Sequence, residues 1–68
     1  MNTGEKIRLL RVCKGMKQST VASKLGITQQ AYSKIEKSDK ISDKKLQEIC
    51  TVMGCRIESL NEIIDKLV

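Results

Sequence analysis

Gln29, Gln30, Ser33 and Lys34 are the side chains with most to offer chemically in this sequence. A glutamine amide donates and accepts at once, which matches the N6 and N7 positions on the exposed edge of adenine. Lys34 follows Gln30 by four residues, so on a helix the two share a face. Its ammonium could meet guanine O6 or N7, or a phosphate. Ser33 lies between them with a shorter reach. The plainer alternative is a solvated helix start. Covalent chemistry is not expected. There is no histidine, no nucleophile beside a base, and no glycine loop to cradle a phosphate.

The elements that must position these residues are short helices. The chain has 68 residues and no proline, and Tyr32 is its one aromatic residue. That length allows one small domain, residues 1–68, with a thin core. Helix formers dominate, and 40% hydrophobic against 31% charged residues suits a folded domain. Asn2 can cap a first helix over about Thr3 to Cys13, with Glu5 as its capping-box acid. Gly15 ends it, and Met16 returns to the core. A second helix is predicted from near Gln18 to Leu25, stopped by Gly26 in a left-handed conformation. Ile27 is read as a buried hinge. Thr28 caps a third helix from Gln29 to about Lys37, with Tyr32 and Ile35 facing inward. Ser42 or Asp43 opens a fourth helix, where Leu46, Ile49, Cys50 and Met53 recur at i, i+3, i+4, i+7, and Gly54 stops it. Ile57 to Val68 reads as a fifth helix, with Leu60, Ile63, Ile64 and Leu67 apolar.

Charge is unevenly placed. The net is +5, but residues 1–56 carry 12 basic and 5 acidic side chains while residues 57–68 carry a net of −2. A basic body fits a polyanion partner such as nucleic acid. It equally fits a surface that keeps a small protein soluble. The cysteines, Cys13, Cys50 and Cys55, form no C-x-x-C pair. An odd count without a signal-peptide pattern fits a reducing cytoplasm rather than a disulfide scaffold. Their spacing matches no usual metal site, so no metal and no cofactor is expected. No apolar run is long enough to cross a membrane. A lone tyrosine also argues against a stacking platform for single-stranded nucleic acid. Buried, inert thiols are the default for Cys50 and Cys55. Cys13 is expected at the surface.

The informative stretch is KQSTVASKLGITQQAYSKIE, Lys17 to Glu36. Ala22 is small where two helices approach, Gly26 permits a sharp turn, and Thr28 starts the second helix. This is the spacing of a helix-turn-helix. From about Lys6 to Leu60 the chain resembles the Cro and phage-repressor (XRE) helix-turn-helix family. The likeness rests on Ile7, Leu10 and Arg11, then Gln18, Ala22 and Gly26. It continues through Thr28-Gln29-Gln30, Ser33-Lys34-Ile35-Glu36 and Leu46…Ile49…Met53-Gly54. It differs in having Ser38 near a usual glycine and no proline in the loop that follows.

The resemblance implies an all-α, compact five-helix, lambda-repressor-like domain that binds duplex DNA in a sequence-specific manner, usually as a homodimer that regulates transcription. Gln29, Gln30, Ser33 and Lys34 become the candidate base contacts. Lys17, Gln18, Thr28, Lys37, Lys40 and Lys44 are the candidate contacts to the DNA backbone, helped at Gln18 by the free N–H groups of a helix start. Arg11 and Glu36 match a structural ion pair of the family, the alternative being Arg11 on a phosphate. Ile64, Leu67 and Val68 fall where the resemblance places a dimer contact, and could also close the core over Leu9 and Val12. A different class, a protein-interaction module such as an antitoxin-like subunit with a protein partner, would have the same helices. Salt-dependent binding to random duplex DNA separates the two.

Overall fold

The computed structural model describes residues 2–56 and 58. These contain four helices: α1 Thr3–Cys13, α2 Gln18–Leu25, α3 Gln29–Glu36 and α4 Asp43–Val52. The segment expected to form a fifth helix, with Ile64, Leu67 and Val68, lies outside the described residues, apart from Glu58. The described part is all-α.

Three of the four described helices are capped at their start by a side chain. Asn2 Oδ1 accepts from Glu5 N–H at 2.9 Å, Thr28 Oγ1 from Ala31 N–H at 3.1 Å, and Ser42 Oγ from Lys45 N–H at 3.3 Å. Each side chain thereby satisfies one of the free donors at its helix start. Gly26 ends α2 at φ 73, the left-handed region that a side chain opposes. Helix α3 closes one residue earlier than the sequence predicts, with Lys37 as its C-cap.

The core is a single cluster of Ile7, Leu10, Val21, Ala22, Tyr32, Ile49 and Met53. Residues from all four helices meet there, because each helix offers apolar side chains at three- and four-residue intervals. Helix α2 packs on α3 and on α4, and α1 packs on α3. Leu25, Ile27, Ile35 and Leu46 are only half-buried at the cluster's margin. Ile27 thus lines the core rather than being enclosed by it.

The approach of α1 to α3 depends on Gly4. Its N–H donates to Ser38 O at 3.1 Å. A Cβ there would stand 2.5–2.7 Å from the carbonyl oxygens of Glu36, Ser38 and Ile35. No real Cβ tolerates that, so glycine is what lets the start of α1 seat against the end of α3. Asn2 Nδ2 also donates to Asp39 Oδ1 at 2.8 Å across the same junction.

Candidate nucleic-acid interface

Helix α3 has one polar side and one inward side. Gln29, Gln30 and Lys34 are exposed and Ser33 is half-buried, whereas Tyr32 and Glu36 are buried. The helix is short and amphipathic, so its inward residues fix which side chains remain outside. Gln18, Gln29, Gln30, Ser33, Lys34 and Lys37 line one concave patch. All four candidate base contacts are therefore gathered with two of the candidate backbone contacts.

The inward end of α3 is held by a part-buried polar network around the buried Glu36 carboxylate. Arg11 Nε donates to Glu36 Oε2 at 2.7 Å and Arg11 Nη2 reaches Oε1 at 3.4 Å. Arg11 Nη1 donates to Met16 O at 2.8 Å, so the same guanidinium ties the loop after α1. Gln18 Nε2 donates to Glu36 Oε1 at 2.9 Å. One carboxylate thus links the start of α2, the end of α1 and the end of α3. Burial works against charge on Glu36, but the Arg11 guanidinium, the neighbouring Tyr32 hydroxyl and the Gln18 amide together outweigh it, and the carboxyl sits below its ordinary range. Arg11 is shifted upward, chiefly by its hydrogen bond to Glu36. The buried Tyr32 hydroxyl is beside them but outside hydrogen-bonding geometry. Burial first, and then Glu36, raise its pKa well above the ordinary value, so it stays protonated.

Gln18 has a double position that sequence reasoning did not reveal. Its amide is engaged with Glu36, yet the side chain also lines the α3 patch. An amide nitrogen carries two hydrogens, so one remains for an anion.

The start of α2 differs from the other three described helices. Its N-cap is Lys17, with extended backbone and no side-chain cap hydrogen bond. A helix start without a side-chain acceptor keeps donors and partial positive charge for an external anion. Lys17 itself is exposed there. Thr28, by contrast, spends its hydroxyl oxygen on Ala31 N–H.

The remaining candidate cations are placed elsewhere. Lys40 is exposed in the loop between α3 and α4. Lys44 lines a separate groove between α2 and α4 with Lys24, Gln47 and Thr51. No group of three or more His, Cys, Asp or Glu among the described residues could hold a metal ion. No described helix is long and apolar enough to cross a membrane.

A helix-turn-helix family model matches residues 7–60. The chain belongs to the XRE/Cro-like helix-turn-helix family. Searches of curated proteins and of solved structures returned no match. The family assignment makes this a DNA-binding domain and not an enzyme. Helices α2 and α3 form its helix-turn-helix pair, the turn running through Gly26, Ile27 and Thr28. The residue missed in the sequence was Gly4. A glycine in the first turn of a helix reads as a weak helix former, and only the tertiary approach of α3 gives it a role.

Proposed function

We propose that this helix-turn-helix domain is a sequence-specific regulator of transcription that binds duplex DNA as a homodimer in the cytoplasm. Helix α3 lies in the major groove. Gln29 and Gln30 read base edges by their paired donor and acceptor, Lys34 reads guanine or grips a phosphate, and Ser33 assists. Lys17, Gln18, Thr28, Lys37, Lys40 and Lys44 neutralise or bond the backbone on either side. The whole of residues 1–68 works as one domain.

The observation that carries this reading is the single concave patch shared by Gln29, Gln30, Ser33, Lys34, Gln18 and Lys37. It joins candidate base readers to a backbone grip, on a helix held by the part-buried Arg11–Glu36 pair. One such helix reads only a few base pairs. Two domains about a two-fold axis would double the contacts and set half-sites roughly 34 Å apart. The segment 57–68 supplies the contact in this reading, through Ile64, Leu67 and Val68, with its negative charge turned from DNA.

Selection of bound fragments from a genomic library, followed by sedimentation of the complex, tests the proposal. A two-fold-related motif bound by two chains supports it. Enrichment of no motif, with tight capture of a protein partner, would favour the interaction-module reading. Sedimentation of Ile64→Asp/Leu67→Asp addresses the dimer separately. Folded monomers where the native chain forms dimers are expected, and a native chain monomeric both free and on DNA would refute the dimer.

A further inference from the structure

We infer that Cys50 and Cys55 form a site of reversible oxidation, closing to an intrachain disulfide when a peroxide reaches Cys55. The backbone brings them together. Cys55 N–H donates to Cys50 O at 2.9 Å and Gly54 N–H donates to Thr51 O at 3.1 Å. With Gly54 at φ 71, this is the paired hydrogen-bond pattern of a Schellman turn, which sets the side chains at its two ends against each other. Those ends normally hold two apolar residues in contact; here both are thiols. Cys50 and Cys55 line the same surface concavity, together with Gln47, Thr51, Arg56 and Glu58.

The two thiols have unequal access. Cys50 is 2% exposed, and burial, followed by the proximity of Cys55, pushes its thiol up to about 12. Burial therefore keeps a peroxide in solvent from Cys50, whose sulfur meets that of Cys55. Cys55 is half-buried, at the margin of the core. The sulfur of Cys55 attacks a hydroperoxide, the O–O bond breaks, and Cys55 becomes a sulfenic acid as water or an alcohol leaves. The sulfur of Cys50 then attacks the sulfur of Cys55. The S–S bond forms, the S–O bond breaks, and the departing hydroxide takes the Cys50 proton as a second water. Overall two thiols are oxidised to one disulfide and one peroxide is reduced. A dithiol reverses the change. The bond ties the last turn of α4 to the chain leaving it and leaves the Arg11–Glu36–Gln18 network intact.

Trypsin makes the test direct, because Cys50 and Cys55 share the peptide between Lys45 and Arg56, residues 46–56. The exposed third cysteine is removed by Cys13→Ser. The folded variant is treated with one equivalent of hydrogen peroxide, alkylated with iodoacetamide and digested without reductant. The expected peptide lacks two hydrogens, carries no alkyl group, and regains both thiols after dithiothreitol. Closure should be at least about tenfold faster in the folded protein than in urea, because the turn presents the thiols to each other. Adding Cys50→Ser should stop the reaction at a Cys55 sulfenic acid that dimedone traps. The proposal is overturned by a peptide that keeps two alkylatable thiols, by Cys55 pairing between two chains, or by closure no faster than in urea.

Discussion

Helices α2 and α3 are both eight residues long and pack on each other, yet they begin in opposite ways. Helix α3 is capped by its own Thr28. Its start is settled internally, and what it offers a partner is side chains: Gln29, Gln30 and, one turn on, Lys34. Helix α2 begins at Lys17 with no side-chain cap, so what it offers is backbone N–H groups, a lysine and the spare hydrogen of Gln18. The difference divides the work in the proposed complex. Sequence reading belongs to the capped helix, whose readers must be held still. Phosphate gripping, which carries no sequence information, starts from the uncapped one and is shared with Thr28, Lys37, Lys40 and Lys44. Glu36 joins the two by bonding Gln18 on one side and Arg11 on the other.

Removing that joint should have the largest effect. Arg11→Ala strands a nearly buried carboxylate, and loss of one partner from a buried pair costs about 3–5 kcal/mol. The melting temperature should fall and binding to every DNA should weaken with it. Unchanged stability with weaker binding would instead place Arg11 on a phosphate. The same pair sets an acid limit. Glu36 has a folded pKa below its ordinary 4.5, so its stabilising effect is present above that pH and is lost as pH falls toward the folded value. Denaturant melts from neutral pH downward should show the decline, and Glu36→Gln should flatten its part of the slope.

Gly4→Ala is next in size. The added methyl must displace the backbone at the end of α3, and such overpacking costs roughly 1–3 kcal/mol. A variant as stable as the native chain by denaturant melt would show that the seat of α1 against α3 does not need glycine at position 4.

Gln29→Ala or Gln30→Ala should cost about 1–3 kcal/mol on the selected DNA site, with little change on random duplex. Fluorescence anisotropy on both DNAs gives the comparison. Equal losses on the two would mean that these amides do not read bases.

The smallest and most pointed variant is Lys17→Ser, which gives α2 the cap it lacks. Stability should rise by up to about 1 kcal/mol while affinity for all DNA falls, because a cation is lost and the new hydroxyl competes for the free N–H groups. A gain in affinity would contradict the division of work between the two helices.

The helix-turn-helix unit was legible because its signals are local. Gly26 and Thr28 announce the turn within three residues, and apolar spacing places Tyr32, Ile49 and Met53 inside. Helix α3 ends at Glu36, one residue short of Lys37, where the sequence predicts its end because Lys37 continues a good helix-forming run and no glycine marks the stop. The Arg11–Glu36 pair was expected only through family resemblance, as nothing local joins residues so far apart in sequence. The Gln18–Glu36 bond and the seat of Gly4 against α3 had no local signal at all. Each depends on the angle at which two helices meet, which hydrophobic periodicity does not specify.

In the proposed DNA complex, one surface combines a salt-sensitive backbone grip with base reading by Gln29 and Gln30. Its most direct test is equilibrium binding, across a range of salt, of the native chain and a Gln29→Ala/Gln30→Ala variant to a selected site and to random duplex. The log affinity of both proteins for random DNA should fall linearly with log salt, by about 0.9 for each phosphate contact. Only the native chain holds a surplus on the selected site, and the surplus survives salt. Contradiction would be either no salt-dependent binding to duplex DNA, or a variant that keeps the native preference for the selected site.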